Sequence, residues 1–251
     1  MSSFAVSLIV FLCVFGGAVV GILLRGSLPE HHLSADSRDV VKLGMGLGPT
    51  MAALVLGLLI SSAKGSYDTQ STELTDMSAR IILLDRMLAH YGPETKEARE
   101  VLRGAVVENL DRIWPQEHKR TSKVVPPSTD PEFLLEKIQV LSPKDEMQRS
   151  FKAQASSMAI GLGQTNWLMF QQGATSVSTP MLVILVFWLT AIFVSFGLFA
   201  PRNATVIAAL FASGLSVSGA IFLILEMYAP LGGLIGISSA PLRSALANLG
   251  K

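Results

Sequence analysis

Residues 43 to 63, from Leu43 to Ala63, read LGMGLGPTMAALVLGLLISSA and contain no charged side chain. A helix needs about 20 mainly apolar residues to cross the roughly 30 Å hydrocarbon layer of a bilayer, and this stretch supplies them. Three more stretches pass the same test: Phe4 to Leu24, Met181 to Ala200 and Asn203 to Leu225 are also uncharged. Hydrocarbon offers backbone N–H and C=O groups no water, so a helix is the only economical form for each. The chain is 50% hydrophobic and 16% charged, well below the quarter typical of a soluble domain, which points to lipid as its solvent. With 20 basic and 19 acidic residues the net charge is +1, so there is no global field to draw in nucleic acid. The single cysteine, Cys13, can form neither an internal disulfide nor a cysteine metal site. The first span lacks a basic n-region and ends in Arg25 without a convincing cleavage site, so it reads as a retained helix and not as a signal peptide.

The spans fall into two pairs. Residues 1–63 read as one transmembrane hairpin, 64–152 as a soluble helical domain, 153–228 as a polar lead-in helix followed by a second hairpin, and 229–251 as a tail. The first outer connection, Arg25 to Lys42, holds His31 and His32, adjacent residues that make a poor chelate on a helix. The second is a turn at Pro201, Arg202 and Asn203. Between the pairs, Leu74, Met77, Ile81, Leu84, Leu88 and Tyr91 recur at spacings of three and four, the seam of a helix packed against another helix. Gly92 and Pro93 end it. A second amphipathic helix is predicted from Glu94 to about Trp114, with Leu102, Ala105, Val106, Leu110 and Ile113 inward. The proline- and lysine-bearing run Gln116 to Asp130 suits a solvated loop. A short helix over Pro131 to Leu141 and a longer one from near Pro143 follow. The amides and hydroxyls of Gln154, Ser157, Gln164 and Asn166 on that last helix should face protein or water, since a buried polar group without a partner costs a few kcal/mol. Four crossings put both ends and the central domain on one side. Basic residues near the span ends are almost balanced between the sides, and the expectation is a cytoplasmic domain in a multi-pass inner-membrane protein.

Small residues crowd the second span. Gly46, Thr50, Ala53, Gly57 and Ser61 lie on one helix face, with Pro49 placed to bend the helix. Two readings stay open: close helix packing through small-xxx-small contacts such as Gly44 with Gly48, or a conduction path lined by that face. On the second reading Leu47, Met51, Leu54, Val55 and Leu58 supply the bulky apolar neighbours of a gate that closes by dewetting. Glu226 is the one acid adjoining an otherwise uncharged span and is a functional candidate by its depth, although snorkelling or pairing with Arg243 would also account for it. Asp85, Arg86, Arg80 and Glu94 could form an ionic cluster in the soluble bundle. No nucleophile with a base, phosphate loop or metal-ligand spacing is present, so the expectation is a protein that is not an enzyme and carries no cofactor or metal.

Several of these stretches resemble a known family. The run from Ile82 to Glu94, with Asp85, Arg86, Tyr91, Gly92 and Pro93 in order, resembles a signature of the bacterial bestrophin-like membrane proteins. So do the run from Phe196 to Asn203 and the tail bearing Glu226, Pro230, Gly232, Gly233, Ser238, Ser239 and Pro241. The resemblance covers nearly the whole chain. It implies a ring-shaped homo-oligomer, commonly five subunits, that passes small inorganic ions through an axial pore, with its helical domain in the cytoplasm. It also implies that the pore neck maps onto Leu47 to Leu58 here. The bulky aromatic residues of the bestrophin neck are absent from that segment, as is an acidic cluster like the calcium clasp of animal bestrophins.

The fold expected is therefore an all-α membrane protein: four transmembrane helices as two hairpins, an intervening soluble helical domain, and a ring-shaped homo-oligomer in the bilayer. The function expected is an oligomeric ion channel with the second span nearest the axis. The alternative is a non-conducting membrane scaffold or sensor whose soluble helices bind a partner. A carrier is disfavoured by four spans with no charge at mid-membrane.

Overall fold

The computed structural model describes residues 2–27, 35–114, 131–172, 179–201, 203–230 and 233–251. The side chains of residues 35–45, 131 and 169–172 lie outside that description, as do His31, His32, the Gln116 to Asp130 run and Arg202. Every regular element among the described residues is helical: α1 Ser3–Leu24, α2 Ala35–Tyr91, α3 Lys96–Ile113, α4 Pro131–Gln139, α5 Glu146–Gln172, α6 Thr179–Phe199, α7 Ala204–Met227 and α8 Ala240–Asn248. Helices α1, α2, α6 and α7 are each long and apolar enough to cross a membrane. The chain forms two compact units, Met1–Ser66 with Ser176–Tyr228, and Tyr67–Thr175 with Ala229–Lys251.

In the first unit, close approach of helix backbones takes the place of the driving force that water supplies elsewhere. Gly17 and Gly21 of α1 lie against Thr190 and Val194 of α6, and Gly197 of α6 lies against the Ala18 carbonyl of α1. A Cβ at Gly21 would collide with the Val194 carbonyl oxygen, and one at Gly197 with that of Ala18. The paired positions rise together along both helices, so α1 and α6 run parallel. On another side of α1, Phe11, Phe15 and Phe211 of α7 form a ring cluster with centroids 5.3–5.6 Å apart. Gly214 of α7 faces the two α1 rings, and the Ser218 hydroxyl donates to the Ser7 carbonyl. These pairs run in opposite senses, so α7 is antiparallel to α1. Ser2 caps α1 by accepting from the Ala5 N–H, and Asn203 caps α7 by accepting from Val206 at 2.8 Å. Arg25, at the end of α1, donates to the Ala200 carbonyl beyond α6, satisfying an acceptor that the helix end leaves open.

The second unit has its own core. Leu74, Met77, Ile81, Leu84, Leu88 and Tyr91, the seam read from the sequence, are all buried. All but Tyr91 join Ala98, Leu102, Val106 and Leu110 of α3, Leu134 and Ile138 of α4, Ala155, Ala159 and Leu162 of α5, and Leu242 and Ala245 of α8 in one cluster. Ala105 and Ile113, expected inward on α3, are only half-buried. The tail segment before α8 is tied in by Trp114, whose indole N–H donates to the Ile237 carbonyl at 3.1 Å.

Two features differ from the sequence reading. α2 begins at Ala35, inside the segment read as a connection, and then runs without interruption to Tyr91. The tail, to which the sequence reading assigned no element, carries α8.

Gly21→Ala is expected to destabilise the first unit by about 1–3 kcal/mol, as overpacking does. Gly16→Ala, on the same helix but with open space around it, should be close to neutral. Thermal melts of the two variants in the same detergent check this contrast.

Candidate pore-facing helix and signature cluster

Among the described residues helix α2 packs into the core of the first unit along one seam, beside which the Tyr228 hydroxyl donates to the Ser62 hydroxyl oxygen at 2.8 Å. Ala52, Leu59 and Ala63 are buried, Val55 and Leu56 pack beside them, and Gly48 sits against Ile192. At about 100° per residue these positions occupy roughly a third of the helix circumference. Of the four spans α2 is the least covered, with 17% of its most apolar stretch buried against 22% to 33% in the others.

The rest of the circumference is bare, and it divides by side-chain size. Gly46, Thr50, Ala53, Gly57 and Ser61 are all exposed on one side, and no atom lies within 4 Å of where a Cβ would stand on Gly46 or Gly57. Leu47, Met51, Leu54 and Leu58 are exposed on another, Leu54 by 70%. Val55 departs from that group, since it is half-buried on the seam. The Thr50 hydroxyl donates to the Leu47 carbonyl of its own helix at 2.8 Å, which leaves its oxygen lone pairs on the small-residue face. Pro49 lies inside the helix and is exposed. Glu226 is 6% exposed near the end of α7.

The second site is the signature after the seam. Asp85 is 1% exposed. Its carboxylate accepts two bonds from Arg99 of α3, at 2.7 Å from Nε and 2.9 Å from Nη2, and a third from the Gly250 N–H at 3.1 Å. Burial alone pushes this carboxyl up, but the Arg99 fork, the Gly250 N–H and the charges of Arg99 and Arg86 outweigh it, and the net shift is below the usual carboxylate range. Glu94 pairs with Lys144 at 2.7 Å, and the hydrogen bond from that ammonium holds its carboxyl low. The ionic cluster expected among Asp85, Arg86, Arg80 and Glu94 is thus two separate pairs with other partners, Arg99 and Lys144. Between them the chain turns at Gly92, whose φ of 139° is a conformation that side chains rarely adopt. The Thr95 hydroxyl braces the turn through the Leu88 carbonyl at 2.6 Å, and the Gln148 amide donates to the Tyr91 carbonyl at 2.9 Å. These residues hold helix ends together and place no reactive group in a cleft. Among the described residues no three His, Cys, Asp or Glu side chains are grouped to hold a metal ion.

Regular structure that is helical throughout the described residues, with four helices long and apolar enough to cross a bilayer, defines the class as an α-helical membrane protein. The bestrophin-like domain family matches residues 12–242 of the 251, and the chain belongs to that family. Comparisons with curated proteins and with solved structures give no match.

Asp85→Ala is expected to destabilise the second unit by about 3 kcal/mol, the usual cost of stranding one partner of a buried pair. Because the folded carboxyl titrates below its unfolded value of about 3.9, its contribution is complete above that pH and is lost as pH falls through the folded value. The stability difference between wild type and variant, followed by thermal melts, should therefore be flat above about pH 5 and shrink on acidification below about pH 4.

Proposed function

We propose that this protein is a bestrophin-like ion channel: a homo-oligomer, five subunits by family resemblance, that passes small inorganic ions along an axis lined by α2. The observation that carries the reading is the bare small-residue face of Gly46, Thr50, Ala53, Gly57 and Ser61, on the span least covered by its own chain. Small side chains let copies of α2 approach an axis closely, and the Thr50 and Ser61 oxygens give an otherwise apolar path weak polarity. Leu47, Met51, Leu54 and Leu58 occupy the adjoining bare face, where copies arranged around an axis bring them into an apolar collar that gates by dewetting. No residue takes a catalytic role. The charged helical unit and both ends lie on the cytoplasmic side of the inner membrane, with the two helix pairs as hairpins.

Thr50→Cys and Ala53→Cys, reconstituted in liposomes, are expected to react with a charged methanethiosulfonate and to lose most of their ion flux. Ala52→Cys, on the buried seam, should stay unreactive. A correctly assembled protein that gives no flux at any voltage or pH is a scaffold and not a channel.

A further inference from the structure

Helix α5 of the second unit has an outer face without charge. Ala155, Ala159 and Leu162 turn into the core of that unit. On the opposite side Ala153, Ser157, Ile160, Gln164 and Trp167 are exposed, at spacings of four and three that align them on one face. No charged residue falls anywhere between Ala153 and Leu168, whereas about a quarter to a third of a solvated surface is charged. Ile160 is 48% exposed and Trp167 64%. Loss of charge together with a bare tryptophan is the composition of the centre of a protein interface.

Lipid does not cover this face. α5 lies antiparallel to α2: the Gln148 amide donates to the Tyr91 carbonyl, the Phe151 ring stacks on His90 with centroids 6.0 Å apart, and a Cβ on Gly161 would stand 3.4 Å from the Arg80 guanidinium. By that register Ser157 is level with Leu83, Ile160 with Ala79, Gln164 with Thr75 and Asp76, and Trp167 with Thr72. Asp76 and Arg80 are exposed at these levels, and charged side chains bare to hydrocarbon are too costly to keep.

The same unit carries a second bare strip. Thr72, Thr75, Ala79 and Leu83 of α2 are exposed on the side away from the buried seam of Leu74, Met77, Ile81 and Leu84. Rotation about an axis along α2 leaves every copy at the same height, so residues level within one chain are also level between neighbours. Large then meets small all along the two strips: Leu83 faces Ser157, Ile160 faces Ala79, and Trp167 faces Thr72. At the fourth level Thr75 and Asp76 face the neutral amide of Gln164, and no like charges oppose. We propose that the outer face of α5 in one copy packs on the Thr72 to Leu83 strip of α2 in the next. Two different patches in contact make a head-to-tail interface, the kind that closes a ring. The contact rests on the ring of the proposed function, not on whether that ring conducts.

The test uses the full-length protein carrying Cys13→Ala, which removes its exposed native thiol, reconstituted in liposomes and oxidised with copper phenanthroline. Leu83→Cys combined with Ser157→Cys is expected to give a ladder of crosslinked species longer than a dimer on a denaturing gel, and either change alone only monomer. Ile160→Arg, which puts an unpaired charge into the contact, should lower the assembled fraction about tenfold or more in native mass spectrometry, with helix content unchanged. Ala79→Trp serves the same purpose if Ile160→Arg does not fold. Val140→Arg, at an exposed apolar residue off both strips, should assemble as wild type does. No ladder from the pair, or full assembly of Ile160→Arg, overturns the proposal. So do dimers from Ser157→Cys alone, which would bring two α5 faces together, and a wild type that stays monomeric, which would assign the face to a different protein. Ion flux through the same liposomes separates the two readings: a ladder without flux keeps the contact and removes the channel, and flux without a ladder does the reverse.

Discussion

Hydrocarbon gives a peptide group nothing to bond to, and everything in the first unit follows from that constraint. Each span must be a helix, and helices in lipid gain little by hiding apolar side chains from one another. What remains is the fit of backbone against backbone. Gly17, Gly21 and Gly197 allow α1 and α6 to approach so closely that a methyl group would strike a carbonyl, and the Phe11, Phe15 and Phe211 cluster fixes α7 on another side of α1. α1 is thereby the hub. Within the first unit α2 packs on the seam of Ala52, Leu59 and Ala63, and its small-residue face from Gly46 to Ser61 is left exposed.

The same helix continues as the seam of the second unit, where water is available and the forces are different. Leu74 to Leu88 bury against α3, α5 and α8, and the buried Asp85 is matched by a bidentate Arg99 and a backbone N–H. A buried carboxylate with three donors resists both displacement and protonation, so it pins α3 and the segment after α8 onto α2. The stretch from Ile82 to Glu94 is accordingly an architectural one: an apolar seam, a buried ion pair, a glycine with φ of 139° and a braced turn.

Much of this is legible in the sequence. Four uncharged stretches of span length, and a three-four repeat from Leu74 to Tyr91, are patterns set by helix geometry and solvent alone. The small stripe on α2 is visible for the same reason, and the runs Ile82 to Glu94 and Phe196 to Asn203 carry the family resemblance. What is hidden depends on contacts between distant residues. Gly65 and Ser66 resemble a break, yet one glycine costs only about 1 kcal/mol in a helix, which tertiary support on both sides outweighs, so α2 is continuous. Asp85 stands out in the sequence, but its partner Arg99 comes into reach only after the chain reverses at Gly92. The glycines of α1 carry no such signal, because nothing in the first span says that Gly197 will face them. α8 is short, and its clues reduce to Pro241 near its start and to Leu242, Ala245 and Leu249 on one side.

The central claim is that the small-residue face of α2 turns towards water within an assembly and not towards lipid. A nitroxide scan from Gly46 to Ser61 in nanodiscs, read as collision rate with a water-soluble nickel complex against oxygen, tests it directly. Water access is expected to peak at Gly46, Thr50, Ala53, Gly57 and Ser61 and to fall at Ala52 and Leu59. A uniform, oxygen-dominated profile along the same positions would place that face in the acyl chains and contradict the claim.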